Sequence, residues 1–298
     1  MQVLALITTF FPNIEVIKTI ENIKKQVDLV IIVDNGSAVE NLKFLQSFKN
    51  DPQVKLILNQ KNMGIAWSCN FAAKFMLENS FSWLLTIDQD SLPKDDYISE
   101  MLQIKNQIEK TYISKSDCKI GLICPTYFYE STGILQRQNK DNTDFCKIQT
   151  GMSSGSLINR RVFEKAIFCQ EKLFVDYFDL EFHLAVQNSG FEIFEASKII
   201  LNHKLGNICK KTILGKTFIP TNYPAFRRYY QARNRIFVYS KYWKIFPKFC
   251  LKDLKSNLMD IVKMYLVEDK KITKTKAILL GFYHGITNKY QNPSPNFD

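Results

Sequence analysis

Four short apolar runs, "QVLALITTF", "VDLVIIVDNGS", "PQVKLILNQ" and "FSWLLTIDQDS", are rich in Val, Ile and Leu and give way to polar residues. Helix-like stretches lie between them, over 13–26 after Pro12, over 38–50 after a Ser37 cap, and over 65–79. This βαβαβαβ rhythm predicts an α/β fold with a mostly parallel, doubly wound sheet covered on both faces. Ligands of such sheets sit beyond the carboxyl ends of the strands. The polar residues fall there: Thr8 and Thr9, then Asp34 to Ser37, then Asn59 to Gly64, then Asp88 to Asp90.

The fourth run poses an electrostatic problem, because a buried strand ends in two acids one residue apart. Like charges that close repel and lose hydration, so a positive partner is expected. No G-x-G-x-x-G or G-x-x-x-x-G-K-[ST] follows any strand, so neither glycine-rich phosphate loop is present. Asp88 and Asp90 supply hard oxygen ligands of the kind Mn²⁺ or Mg²⁺ shares with a substrate's phosphates. The alternative is that Asp90 or Ser91 caps a helix starting near Pro93.

With 298 residues and 46% apolar content, the chain can bury a substantial core. The start, "MQVLALITTFFP", reads as a first strand rather than a secretion signal, and no stretch approaches the ~18 to 20 apolar residues of a membrane span. Seven scattered cysteines with no C-x-x-C fit free thiols in a reducing cytoplasm better than disulfides or zinc. Charge is uneven. Residues 1–203 carry 21 Lys+Arg against 24 Asp+Glu, and residues 204–298 carry 19 against 5, so the end of the chain expects an anionic partner.

The ordered set "ITTFFP", "VDNGS", "NQKNMGIAWSCNFA" and "LLTIDQDS" resembles the nucleotide-sugar-binding half of family-two glycosyltransferases. It is most similar to bacterial rhamnosyltransferases, and the likeness continues through "SSGSLINRRVF", "LFVDYFDLEFHLAVQNSG", "NHKLGN" and "RRYYQARNRIFV". The resemblance implies the GT-A fold over 1–240, with a nucleotide-sugar-binding half over 1–92 and an acceptor and catalytic half over 93–240. A basic helical extension is expected over 241–298. It also implies an inverting, metal-dependent transfer of L-rhamnose from dTDP-L-rhamnose to a lipid-linked bacterial surface polysaccharide, with UDP-galactose, UDP-glucose and UDP-galactofuranose as alternative donors.

For the site, the resemblance implies that Thr9 and Phe10 border the base and that Asp34 contacts base or ribose. Asn62, Gly64 and Asn70 line the same pocket, with Asp88 at its edge. The metal ligands are Asp88 and Asp90, joined by His203. On the acceptor side stand Ser154, Gly155 and Glu181. Asp179, eleven residues before Gly190, is the candidate base that takes the acceptor's proton, and Asp176 is the other candidate. Phe178 stands where an acid often precedes the base and Ala185 where an arginine often follows.

The basic end interleaves aromatic and cationic residues, which suits an anionic membrane surface or RNA. No nucleic-acid fingerprint is present. The expectation is a cytoplasmic enzyme held at the inner membrane face by Lys241, Lys244, Lys248 and Lys252, with Tyr242, Trp243 and Phe246 at the headgroup boundary. No nucleic acid is expected as a partner. The rivals are a nucleotidyltransferase, which "TTFFPN" does not fit, and a non-catalytic nucleic-acid-binding protein.

Overall fold

β-branched and leucine-rich runs become strands wherever both faces can be covered. The computed structural model describes residues 2–113, 119–130, 132–136, 139, 143–203, 211–213, 216–218, 220–290, 292 and 295–297, with His203 and the two short strands after it by backbone alone. The first half alternates as expected: β1 (Val3–Thr9), α1 (Glu15–Lys24), β2 (Leu29–Asp34), α2 (Val39–Gln46), β3 (Val54–Leu58), α3 (Ile65–Glu78) and β4 (Trp83–Asp88). Then follow α4 (Tyr97–Ile108), β5 (Ile120–Tyr129), β6 (Ile134–Gln136), β7 (Phe145–Ile148), β8 (Ser156–Asn159), α5 (Arg160–Glu164), α6 (Phe178–Asn188) and β9 (Glu192–His203). The chain continues through the β10 (Lys211–Ile213) and β11 (Lys216–Phe218) hairpin to α7 (Ala225–Tyr242), α8 (Pro247–Val267) and α9 (Lys271–Ile286).

Among the described residues the main sheet runs β3-β2-β1-β4-β8-β5-β9-β7, with β6 on the edge of β5. The pairs β1–β2, β1–β4, β2–β3 and β5–β9 are parallel, and β8 is the antiparallel strand between β4 and β5. Side chains of β1 alternate between the two faces. Val3, Ala5 and Ile7 join one core with Ile20, Ile23, Met101 and Ile104 of α1 and α4. Leu4 and Leu6 join the other with Ala72, Met76, Phe163 and Phe182 of α3, α5 and α6.

Two expected helix starts shift. Ala38, not Ser37, precedes α2, because the Ser37 hydroxyl donates instead to Asp34. The helix after Asp90 begins only at Tyr97, behind Asp96, so neither Asp90 nor Ser91 caps it. The acids at the end of β4 are therefore free of that structural duty.

At the other end, α9 lies close across α7 where two of its residues are glycines. A Cβ on Gly281 would stand 2.4 Å from the carbonyl oxygen of Tyr229, and one on Gly285 2.8 Å from that of Arg233. A buried triad adds to the join: Glu268 accepts from Arg228 at 2.9 Å and from Lys274 at 2.8 Å. Replacing Gly281 with Val should force α9 off α7 and destabilise the protein by about 1 to 3 kcal/mol. Urea unfolding checks this, and an unchanged midpoint would contradict the close approach.

Candidate active site

The parallel register brings three strand ends side by side. Thr9 lies opposite Asp34 and Thr8 opposite Asp88, so β1 separates the two acids. Thr9 and Asp34 are both buried, and the Thr9 hydroxyl donates to Asp34 Oδ2 at 2.8 Å. Asp34 also accepts from the Ser37 amide at 2.8 Å and hydroxyl at 2.7 Å. The Ser37 oxygen in turn accepts from the Phe11 amide, leaving the Phe10 ring exposed at the rim.

Gln89, between the two acids, is a residue whose role the spacing did not reveal. Its side-chain amide accepts from Phe10 N at 2.9 Å and donates to Phe10 O at 3.1 Å, which pins the end of β4 to the end of β1. Asp88 is half-buried and Asp90 exposed. Burial, reinforced by the Asp90 charge, pushes the Asp88 carboxyl up to about 7, while a hydrogen bond with Ser154 opposes the shift. Among the described residues, neither Asp88 nor Asp90 forms an ion pair. His203 ends β9 opposite Tyr129, and its side chain lies outside the described residues.

Ser154, Gly155 and Glu181, expected on the acceptor side, are each engaged within the protein. Ser154 is buried beneath the acids, where its oxygen accepts from Asp88 N at 3.0 Å and lies 3.0 Å from the Ser91 hydroxyl. Gly155 donates to Thr86 O at 2.6 Å and accepts from the Tyr97 hydroxyl at 2.6 Å; a Cβ there would stand 2.6 Å from Leu201 and Tyr97. Both set the position of the β4 end. Glu181 is fully buried on the far side of α6, accepting from Lys241 at 2.6 Å and Tyr242 at 2.9 Å.

Three residues expected around the nucleotide hold loops instead. Asn70 exchanges hydrogen bonds with the Cys169 backbone, 2.9 Å each way, and donates to Glu171, so its amide is fully engaged. Asn62 accepts from Gly64 N at 2.9 Å. Gly64 has φ +85°, and a Cβ there would stand 2.8 Å from Phe174, so glycine is required by the protein's own packing.

The segment before α6 is tightly bent. Phe174, Asp176 and Tyr177 all have φ between 54° and 64°. A buried amide supports this bend: Asn234 Nδ2 lies 2.8 Å from each of the carbonyl oxygens of Leu173, Val175 and Asp176. Its neighbour Arg233 donates to Lys172 O and Leu173 O. Asp176 is gripped by both guanidinium nitrogens of Arg227, with Gln231 at 3.5 Å. Of the two candidate bases, this one is already paired.

Asp179 faces the other way, into a cleft it shares with Asp88, Thr8, Ser153, Phe178 and His183. Burial pushes its carboxyl up to about 6; the Leu180 amide at 2.8 Å opposes the shift, and the negative charges of Asp176 and Asp88 add to it. His183, which the sequence did not single out, is buried in the same cleft and accepts from Gly151 N at 3.3 Å through Nδ1. Burial pushes its imidazole down to about 4, so at neutral pH it is uncharged with its proton on Nε2.

A carboxyl raised to about 6 stabilises the fold only below its unfolded value near 4, and that contribution is lost as pH rises through 6. His183 works in the opposite sense, adding stability as pH rises from about 4 to 6.5. Asp179→Asn should therefore gain stability relative to the parent as pH rises from 4 to 7. Urea midpoints of both proteins in chelator test this; a difference that does not change with pH would contradict the raised carboxyl.

Comparison with known proteins accounts for this arrangement. Residues 6–167 match the glycosyl transferase family 2 model. Over 245 residues the chain is 27% identical to the dTDP-rhamnosyl transferase RfbF of Shigella flexneri, covering 80% of this chain and 79% of that protein. Among solved structures it is similar to residues 1–349 of S. aureus TarS, with a TM-score of 0.53 at 12% identity, covering 97% of this chain and 82% of that one. It is also similar to GalNAc-T7 solved with UDP, GalNAc and Mn²⁺, with a TM-score of 0.60 at 12% identity, covering all of this chain and 59% of that one. These neighbours share the GT-A fold with this chain.

Proposed function

We propose that this chain, which belongs to glycosyl transferase family 2, transfers L-rhamnose from dTDP-L-rhamnose, with inversion, to a lipid-linked bacterial surface glycan. Membership makes it a glycosyltransferase and sets aside a non-catalytic nucleic-acid-binding protein. The observation that carries the mechanism is the convergence of Asp88 and Asp179 on one cleft. The choice of donor is supported by the rhamnosyl transferase relative.

The donor set fits Mn²⁺ or Mg²⁺. Asp88 and Asp90 offer hard oxygens at a strand end and have no basic partner among the described residues, and burial together with the Asp90 charge raises the Asp88 carboxyl. The neighbour solved with UDP and Mn²⁺ supports the same reading. When bound, the cation supplies positive charge to the leaving diphosphate.

The remaining steps belong to the chain. Gln89 and the Thr9–Asp34–Ser37 network fix the strand ends, so the two acids and the exposed Phe10 ring stand at a set spacing for nucleotide and diphosphate. Asp179, with its carboxyl near 6, is ionised at neutral pH and accepts the proton of the acceptor hydroxyl as that oxygen attacks the anomeric carbon. Arg227 holds Asp176 away from that task. The basic end keeps the enzyme at the inner face of the cytoplasmic membrane, where a lipid-linked acceptor is presented.

Asp90→Asn should abolish most of the Mn²⁺-dependent stabilisation by dTDP in a thermal-shift assay while the fold persists. Unchanged stabilisation would remove the metal role. Asp179→Asn should keep dTDP affinity near the parent's and lower turnover by at least ~10²-fold, and the parent's kcat/KM should rise with pH through about 6. If Asp176→Asn showed the larger loss of turnover, the assignment of the base would reverse. A screen of nucleotide sugars tests the donor, and preference for UDP-galactose, UDP-glucose or UDP-galactofuranose over dTDP-L-rhamnose would overturn it.

A further inference from the structure

Of the aromatic residues expected at the headgroup boundary, Tyr242 turns inward while Trp243 stays exposed. Tyr242 is buried, Phe246 packs against it, and Lys241 is bonded to Glu181. The outward surface lies on α8 instead. At ~100° per residue, Leu251, Leu258, Val262 and Tyr265 fall within about 60° of one another, and each is about half-exposed. The exposed Lys248, Lys252 and Lys255 line one edge of this stripe.

The acids of α8 are kept off that edge. Asp253 points into the protein, accepting from Tyr177 at 2.8 Å, Tyr239 at 2.7 Å and Arg235 at 3.0 Å, and Asp260 pairs with Lys263. An apolar stripe with a lysine edge is the pattern of a helix lying in a bilayer interface, with lysine stems along the apolar boundary and ammonium groups among the phosphates. We infer that the outer face of α8 docks on an anionic lipid surface. A second copy of the chain would set the exposed lysine edge of one α8 against that of the other, whereas anionic lipid complements it. Through Asp253 and Tyr177 the docked helix is joined directly to the start of α6, two residues before Asp179. The inference rests on the peripheral reading given above and locates its surface.

The test is sedimentation of the full chain with vesicles of equal phosphatidylglycerol and phosphatidylcholine, against pure phosphatidylcholine, at low and high salt. The parent should bind only the anionic vesicles, and less at high salt. Lys248→Gln/Lys252→Gln/Lys255→Gln should weaken binding by on the order of 10- to 100-fold, and Leu258→Ser/Val262→Ser should weaken it by at least about 10-fold. Both variants should retain the parent's thermal shift with dTDP and Mn²⁺, which shows that they are folded. If the parent binds and folded variants bind equally well, the α8 surface is overturned and the peripheral reading stands. If the parent ignores anionic vesicles, both fail, while an intact dTDP response leaves the transferase. Concentration-dependent dimerisation that is lost in Leu258→Ser/Val262→Ser, without lipid binding, would assign the stripe to a second copy.

Discussion

Three carbonyl oxygens of one bent segment converge on a single buried amide, Asn234 Nδ2. A buried carbonyl left without a donor costs on the order of 1 to 3 kcal/mol. Three non-glycine residues with positive φ add strain that only surrounding contacts can hold. The bend sets the direction of α6, and the direction of α6 decides that Asp179 opens into the cleft while Glu181 turns to Lys241. Carboxylates two residues apart on one helix thus have unrelated surroundings.

The arrangement of the first half was legible because it is carried by local patterns. Apolar runs with polar ends, alternating with helix-like stretches, predicted a mostly parallel sheet covered on both faces, as found. What the side chains at the strand ends touch was not legible. The partners of Asn70 lie about 100 positions away, and those of Ser154 more than 60. A residue type that suits a ligand suits a loop carbonyl equally well, and only the fold decides between them. Gly64 illustrates this: close approach was expected, but the approaching group is Phe174.

Net charge misled in a similar way. The last third is basic by count, yet Arg228, Arg233, Arg235 and Lys274 are buried, each engaged with carboxylates, carbonyls or tyrosine rings. Those cations hold the helices and the bend before α6 together. The charge that reaches solvent on α8 belongs to lysines, whose long stems and compact ammonium groups suit a wet boundary better than the planar guanidinium does.

The Asn234 clamp also sets an order of events in synthesis. Asn234 is 58 positions beyond Asp176, so a growing chain places its base-bearing segment well before the amide that fixes it. At 5 to 20 residues per second, roughly 3 to 12 seconds separate the two. During that interval β1 to β4 have already been made, while the path of 173–176 lacks its anchor. Because Arg233 O in turn packs against Gly285 of α9, the segment leading to Asp179 gains its last supports only once the final helix has been made.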